Sequence, residues 1–240
     1  MLKQLLTTGK EKFNAICRAN DLTLSYYLNK PGFPILEEVF VNRVYADYFP
    51  FYQQAVVVDI GAHFGFFSIF ASKNLAPESR IIAIEPARAN FERIETNARM
   101  NGLSNIEPAN AAILDNEGFV DLYMDRAENH SIFGKSGSAK VSVEAMTLES
   151  LFLYHKLQQI DFLKLDCEGA EYPILLNTPD AVFESIKTIS LEFHDLKDKR
   201  YTGLILINRL KALGYKIVKF QHGKTNQNNN YGWIVATREY

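Results

Sequence analysis

A short segment after a predicted strand has the residue types needed to hold a cofactor that contains adenosine. Asp59 ends a β-branched run, and Gly61 and Gly65 follow it in a G-x-x-x-G spacing. The glycines allow a tight turn and a close approach of the backbone to a ligand. Glu85 ends the next apolar run, where a carboxylate can accept both hydroxyl protons of a ribose. Because dinucleotide sites use G-x-G-x-x-G, this spacing favours a nucleoside cofactor without phosphates, such as S-adenosylmethionine.

Further contacts with such a cofactor are predicted from the same loop and from the neighbouring strand ends. Asp59 would accept from the ammonium of the methionine moiety, directly or through water, although an aspartate here can instead cap the following helix. His63 occupies a turn position that favours a left-handed backbone, which histidine tolerates, so we interpret it as a shape residue rather than a catalyst. Adenine would lie near the end of the third strand. The predicted cofactor-binding residues are Asp59, Gly61, His63, Gly65, Glu85, Pro86, Asn110 and Ala112.

The periodicity around these residues alternates between strands and helices. It predicts a right-handed βαβαβ half with strands at 56–60, 80–84 and 105–112 and helices at 64–74 and 87–101. A second half follows, with strands at 160–166 and 188–194, a helix that opens at 167 and a helix at 204–213. The last two strands, 215–220 and 232–237, are joined by a loop too short for a crossover helix, so we predict that they pair antiparallel.

Two regions lie outside this repeating pattern. Residues 1–50 are predicted to form a helical cap on the same domain as residues 51–240, and residues 115–150 a hairpin insertion. The polar loop of the insertion contains His130 and Ser131 and is either a lid or an ordinary surface loop. Aromatic residues of the cap could line a substrate pocket, although aromatics at helical spacing are more often core. These aromatics are Tyr26, Tyr27, Phe40, Tyr45, Tyr48 and Phe49.

Composition indicates one ordinary domain without an electrostatic signature for a large anionic partner. The chain has 240 residues, 47% hydrophobic, with 26 basic and 28 acidic side chains. We therefore predict no nucleic-acid or membrane partner and a small acceptor. Cys17 and Cys167 lack C-x-x-C spacing, which favours free thiols and no zinc site. With no signal peptide or membrane span predicted, we expect a cytoplasmic protein and leave its oligomeric state open.

Three motifs in this order resemble the FkbM family of S-adenosylmethionine-dependent methyltransferases. They are the glycine loop 59–68, the Ala83-Ile-Glu-Pro86 run with Asn90 and Asn97, and Lys164-Leu-Asp-Cys-Glu-Gly-Ala-Glu171 followed by Leu191-Glu-Phe-His194. The resemblance implies an α/β, Rossmann-like class I methyltransferase fold. Its mostly parallel seven-stranded sheet would have the order 3-2-1-4-5-7-6 with an antiparallel C-terminal hairpin. The resemblance also implies a methyl donor and a hydroxyl acceptor on a sugar or small metabolite.

Charged side chains alternate on two strands that the implied topology makes adjacent. Lys164 and Asp166 share one face of their strand, as Glu192 and His194 do of theirs. Since buried charges are costly unless paired, we predict contacts of Lys164 with Glu192 and of Asp166 with His194. A purely structural ion-pair cluster is the alternative. Open α/β sheets bind ligands at the carboxyl ends of their strands, which places Asp166 and His194 beside the cofactor.

The predicted catalytic residues are His194, Glu168 and Asp166. Transfer of a methyl group to an alcohol requires removal of its proton, and a histidine that titrates near neutrality suits that step. Glu168 or Asp166 would orient His194 or act as the base themselves. Glu168 can instead stabilise a helix N-terminus, and these three residues could hold Mg²⁺, although no ligand spacing requires a metal and none is predicted.

Other classes of protein are disfavoured by particular residues. A nicotinamide-dependent oxidoreductase would use a Tyr-x-x-x-Lys pair on a helix, but Tyr215 and Lys219 fall on a predicted strand. A nucleic-acid base methyltransferase would have an Asn/Asp-Pro-Pro-aromatic run where Asp166-Cys-Glu-Gly169 stands. A non-catalytic scaffold would have lost cofactor or base residues, and both sets are present.

Overall fold

A computed structural model describes residues 9–25, 32–123, 139–194, 200–224 and 230–238. Its helices are α1 (Gly9–Ala19), α2 (Gly32–Glu37), a π-helix (Glu38–Asn42), α3 (Phe66–Asn74), α4 (Arg88–Met100), α5 (Leu148–Tyr154), α6 (Glu171–Asn177), α7 (Asp180–Phe183) and α8 (Gly203–Ala212). Its strands are β1 (Val56–Ile60), β2 (Arg80–Ile84), β3 (Ile106–Ala109), β4 (Ala112–Leu114), β5 (Gly118–Tyr123), β6 (Lys140–Thr147), β7 (Ile160–Leu165), β8 (Ile186–His194), β9 (Lys216–Lys224) and β10 (Asn230–Thr237). Tyr26, Tyr27, His130 and Ser131 lie outside the described residues.

Seven strands form one sheet in the order β3-β2-β1-β7-β8-β10-β9. The pairs from β3 to β8 are parallel, and β10 pairs antiparallel with both β8 and β9. Numbered within the sheet, the order is 3-2-1-4-5-7-6, which confirms the predicted topology and the C-terminal hairpin. The parallel strands place their carboxyl ends along one edge, where the predicted site residues occur.

Apolar residues cover both faces of this sheet, as its buried strands require. Val58, Ile82 and Leu163 face a core completed by α6 and α8, whereas Val57, Ile81 and Phe162 face one completed by α3, α4 and the N-terminal helices. Neighbouring residues of one strand therefore belong to different cores, because strand side chains alternate with a period of two. The sheet is held rigidly from both sides at the edge that carries the site.

A second sheet of three strands, β4-β6-β5, corrects the prediction of one strand at 105–112. The chain leaves the main sheet after β3, and β4 pairs parallel with β6. Asn110 and Ala111 lie at this break, between the end of β3 at Ala109 and the start of β4 at Ala112. β5 and β6 pair antiparallel, which confirms the predicted hairpin. The short α5 was not predicted; Thr147 accepts from the Ser150 amide at 3.1 Å and caps it.

The segment 166–170 corrects the prediction of a helix that opens at 167. α6 begins only at Glu171. Glu168 and Gly169 have φ angles of 53° and 107°, which a right-handed helix excludes. The Glu171 carboxylate accepts the amides of Cys167 and Gly169 at 2.7 and 2.8 Å and so stabilises a turn here. This turn directs the side chains of 166–168 toward the site.

Candidate active site

One cavity lies at the carboxyl ends of β1, β2 and β7, between the glycine loop and the turn after β7. The predicted site residues that line it are Gly61, His63, Glu85, Pro86, Ala112, Asp166 and Glu168. The structure therefore brings together residues from four separate segments of the chain. Asp59, Gly65, Asn110 and His194 support this cavity from behind rather than line it.

The glycine loop depends on backbone conformations and close contacts. Gly61 has a φ of 78°, and a Cβ there would stand 1.8 Å from the carbonyl oxygen of Asp166. Gly65 has a φ of 75° and packs against Ile94, where a Cβ would lie 3.1 Å from a side-chain carbon. His63 is also left-handed, with a φ of 52°. The two glycines therefore let the loop pack directly against the turn after β7 and against α4, which fixes its position at the cavity.

Glu85 is 5% exposed and is held at the tip of β2 by its neighbours. Oε1 accepts the Ala87 amide at 2.9 Å, and Oε2 accepts the His63 amide at 2.9 Å. Burial raises the pKa of Glu85 to about 7, and the hydrogen bonds from Ala87, His63 and Asn90 reduce the shift. Oε2 retains a further lone pair, and the second bond of Oε1 is a long one, from Asn90 Nδ2 at 3.4 Å. If a ribose hydroxyl replaces that long bond, the group can accept two adjacent hydroxyls of a ribose.

Asp59 corrects the prediction of a direct contact with the cofactor ammonium. Its side chain is fully buried, and it does not line the cavity. Oδ2 accepts from the Ser68 hydroxyl at 2.6 Å, and Oδ1 pairs with the Lys164 ammonium at 3.0 Å. The alternative, a cap on the next helix, is also wrong, since the N-cap residue of α3 is Gly65 and Asp59 accepts from a side-chain hydroxyl rather than a backbone amide. Asp59 thus anchors Lys164 beneath the cavity.

Asn110 acts on the site through the backbone of the turn after β2. Its Nδ2 donates to the carbonyls of Glu85 and Pro86 at 2.8 and 2.9 Å. The adjacent residues Ala111 to Ile113 line the cavity and offer the apolar wall predicted for adenine. Asn110 therefore fixes the turn that presents Glu85.

The carboxyl ends of β7 and β8 carry an acidic group around one histidine. His194 Nε2 lies 3.7 Å from an oxygen of Glu168 and 3.7 Å from one of Glu192, and Nδ1 lies 4.0 Å from Glu171. Burial lowers the pKa of His194, but the charges of Glu171, Glu168 and Asp166 outweigh it, so the pKa is raised overall. Burial and the charge of Asp166 raise the pKa of Glu192 well above its usual range.

The predicted side-chain contacts between β7 and β8 are wrong. Lys164 pairs with Asp59 at 3.0 Å and approaches Asp166 at 3.7 Å, rather than Glu192. Asp166 accepts from the Tyr45 hydroxyl at 3.0 Å rather than from His194. The buried Lys164 ammonium is nevertheless compensated by two carboxylates, as burial requires.

Sequence reasoning missed two contributors to the cavity wall. Ile35 and Val39, from α2 and the π-helix, line the cavity. Tyr45 lines it too, whereas Phe40 and Phe49 are core residues and Tyr48 is exposed. Spacing alone does not distinguish Tyr45 from the core aromatics beside it. Its position depends on the turn at Arg43, which has a φ of 51° and ends the π-helix.

Metal clusters and membrane-spanning helices are both absent from the described parts of the chain. Within those ranges, no group of three or more His, Cys, Asp or Glu residues is arranged to hold a metal ion. None of the helices described there has the length and apolar character needed to cross a membrane.

The residues fit S-adenosylmethionine along the length of the cavity. Glu85 can accept its ribose hydroxyls, the wall at 111–113 can contact adenine, and Gly61 lines the cavity as well. The carboxylate of Asp166 and the ammonium of Lys164 lie 3.7 Å apart at the other end of the cavity.

The fold and this site define a Rossmann-like class I methyltransferase. The methyltransferase domain of METTL16 matches with a TM-score of 0.60 at 12% identity, over 97% of this chain and 80% of that chain. At this identity the match demonstrates the fold alone. Residues 59–217 match the family model of the methyltransferase FkbM domain, and the chain belongs to this family. Its cofactor is S-adenosylmethionine.

Two curated proteins have sequences similar to this chain, and one of them is named a methyltransferase. Methyltransferase 1 of Beauveria bassiana (strain ARSEF 2860) is 26% identical over 196 residues, which cover 72% of this chain and 78% of that protein. The AMB antimetabolite synthetase AmbE of Pseudomonas aeruginosa is 26% identical over 227 residues, covering 76% of this chain. The match spans only 10% of that synthetase.

Proposed function

We propose that the chain methylates a hydroxyl oxygen on a sugar or another small metabolite. The observation that carries this proposal is the Glu168 carboxylate in the cavity wall, with His194 Nε2 at 3.7 Å behind it. Glu168 holds a left-handed φ of 53°, a strained conformation for a residue with a side chain. Such strain is typical of functional positions.

The bound cofactor supplies an electrophilic methyl group on its sulfonium. The acceptor oxygen loses its proton as it bonds to that methyl carbon, and we assign the proton to Glu168, which faces the cavity. His194 does not line the cavity and is the positioning residue, which holds the Glu168 carboxylate from behind at 3.7 Å. These roles are the reverse of those expected from histidine chemistry alone, in which His194 is the base and Glu168 orients it.

The acidic surroundings also favour a particular class of acceptor. Asp166 and Glu168 line the cavity, and Glu192 lies behind them. A phosphate or carboxylate on the acceptor would be repelled there, whereas neutral hydroxyls can donate to these oxygens. This favours a neutral small molecule over a nucleic acid.

The test is a screen of neutral sugars and small-metabolite alcohols with S-adenosylmethionine, followed through formation of S-adenosylhomocysteine. Mass and NMR spectra of the product should show a methyl ether. Glu168→Gln should lower kcat by about 10²–10⁴-fold, the usual contribution of a general base, with S-adenosylhomocysteine affinity unchanged within about twofold.

Glu92→Gln is the matched control, because Glu92 is an exposed carboxylate on α4 that pairs with Arg88. It should leave both kcat and affinity unchanged. Methylation only at nitrogen or carbon would contradict the proposal, as would full activity in Glu168→Gln.

A further inference from the structure

The cavity has a direction that follows from the order of the strands. Glu85 ends β2, the Gly61 turn follows β1, and Asp166 follows β7, so the three sites lie side by side along the sheet edge. At the usual strand spacing, Glu85 and Asp166 are separated by roughly 10 Å. With ribose at Glu85 and adenine at 111–113, the 5′ substituent of the cofactor points toward Asp166. The amino-acid end therefore reaches the turn after β7.

Asp166 is the carboxylate available at that end. Its side chain is 28% exposed and lines the cavity, whereas that of Asp59 is fully buried and pairs with Lys164. An ionised carboxylate accepts about four hydrogen bonds, and the Tyr45 hydroxyl occupies one acceptor site on Oδ2. Asp166 thus retains acceptor capacity for an ammonium.

Tyr45 is held firmly enough to position that carboxylate. It is 4% exposed and packs edge-on against Phe67 with the ring centroids 5.3 Å apart. Its hydroxyl lies 3.0 Å from Asp166 Oδ2, and its ring lies 5.3 Å from the Lys164 ammonium. Burial and the charge of Asp166 raise the pKa of Tyr45 well above its usual range, so the phenol remains a donor.

Lys164 joins this pair to the glycine loop. Its ammonium lies 3.2 Å from the carbonyl of Gly61 and 3.7 Å from Asp166 Oδ2. The ammonium also lies near the cavity, so a cation and an anion stand side by side where the cofactor carries one of each. Favourable contacts with both charges of a zwitterion require such an arrangement.

We propose that Asp166 receives the ammonium of the amino-acid end of S-adenosylmethionine and that Tyr45 is its positioning residue. Tyr45 lies before the stretch 59–217 that matches the family model. The segment ahead of that stretch therefore completes the cofactor site. This inference depends on the cofactor and not on the identity of the methyl acceptor.

The test compares two ligands by calorimetry. S-Adenosylhomocysteine carries the amino-acid end, and 5′-methylthioadenosine lacks it. Asp166→Asn should weaken S-adenosylhomocysteine by about 10–100-fold, as expected for a hydrogen bond to a charged group. Tyr45→Phe keeps the ring and should weaken the same ligand by about 3–10-fold. Both variants should bind 5′-methylthioadenosine as the parent protein does, within about twofold.

Tyr215→Phe is the matched control. The Tyr215 hydroxyl is buried and donates to the carbonyls of Phe183 and Ile186, at the opposite end of β8. Its loss should lower the melting temperature without changing either affinity. This variant separates the removal of a buried hydroxyl from an effect on the cofactor.

Equal weakening of both ligands by Tyr45→Phe, or no weakening of S-adenosylhomocysteine, would overturn the inference. If Asp166→Asn does not fold, Tyr45→Phe decides alone. The proposed O-methylation is tested independently. It would be contradicted if the two variants weakened only S-adenosylhomocysteine, as expected, but the parent protein methylated no hydroxyl acceptor. Absence of S-adenosylhomocysteine binding to the parent protein would overturn the cofactor contacts of both proposals.

Discussion

At the scale of single residues, the raised pKa of Glu85 leads us to expect that cofactor binding depends on pH. Burial raises its pKa to about 7, so the carboxyl is half protonated at neutrality. In the unliganded protein, the contribution of Glu85 to the free energy of unfolding falls as the pH rises from about 4.5 to about 7. In this range the folded state retains the proton and the unfolded state has lost it. A ribose that donates two hydroxyl protons needs the ionised form. Cofactor affinity and stability therefore respond to Glu85 with opposite sign.

We accordingly predict that the affinity for S-adenosylhomocysteine rises with pH and levels above about 7. Below this value it should fall by about tenfold per pH unit, because the ligand must displace the proton. Calorimetry at several pH values between about 6 and 8 measures the slope. Glu85→Gln retains an acceptor but does not titrate, so its affinity should be lower and nearly independent of pH. The same slope in that variant would assign the titration to another group, such as His194.

Residue types at the site were largely predictable, but their partners were not. Glu85 and the two glycines have roles that local spacing already implies, because they act at the ends of adjacent strands. Asp59 and Asp166 are both aspartates at strand ends, and no sequence pattern indicates which of them is buried. Only the packing of Ser68 and Lys164 around Asp59 makes it a structural group.

At the scale of elements, the turns after β1 and β7 form one unit. The Gly61 α-carbon faces the carbonyl of Asp166 so closely that a Cβ would stand 1.8 Å from its oxygen. The two turns carry the cofactor loop and the Asp166–Glu168 segment. A change in one turn must therefore displace the other, and with it the geometry for methyl transfer.

Gly61→Ala should cost about 2–5 kcal/mol of unfolding free energy, from left-handed strain plus a backbone clash. Cofactor binding should be lost with it. Gly102→Ala is the control, since Gly102 has a φ of 66° and a Cβ added there would meet no atom within 4 Å. It should cost about 1–2 kcal/mol and leave binding intact. Urea unfolding measures the change in unfolding free energy of each variant, and calorimetry measures its cofactor binding. Equal losses of unfolding free energy in the two variants would show that the backbone near Asp166 shifts to accommodate the added Cβ.

The strands were predicted more accurately than the turns. β1 and β2 have the predicted bounds because runs of β-branched residues have few alternatives. The break at Asn110 and the turn at 167–170 depend on side chains that bond backbone groups of other residues. The Glu171 carboxylate and the Asn110 amide make these bonds, and a periodic pattern does not reveal them.

At the scale of the whole molecule, Asn97 joins the N-terminal segment to the cofactor loop. This buried amide on α4 accepts from the Ser25 amide and hydroxyl at 2.9 and 2.8 Å and donates to the carbonyl of Phe64 at 2.9 Å. One side chain thus binds Ser25, which precedes the stretch 59–217 that matches the family model, and Phe64, which lies within it. That residues 1–50 form a cap of the same domain stays a prediction, and Asn97 provides a test.

Asn97→Ala should lower the unfolding free energy by about 2–4 kcal/mol, because it leaves buried donors and an acceptor without partners. Unfolding should remain a single transition when followed by both tyrosine fluorescence and circular dichroism, as one domain requires. Asn101→Ala is the comparison, since Asn101 makes two exposed bonds to Thr23 and should cost about 1 kcal/mol. Separate transitions in the parent protein would contradict a single domain.

Local sequence patterns were enough to predict the strands and the sheet edge that carries the candidate site, since β-branched runs form strands and parallel strands align their carboxyl ends. The family came from three motifs in the right order, and the order of the strands followed from the resemblance to that family. The tertiary structure decided which charged groups face the cavity, because burial depends on residues distant in the chain. Tyr45 binds Asp166, and Asp59 is buried, through contacts between segments that are distant in the sequence and that no local pattern connects.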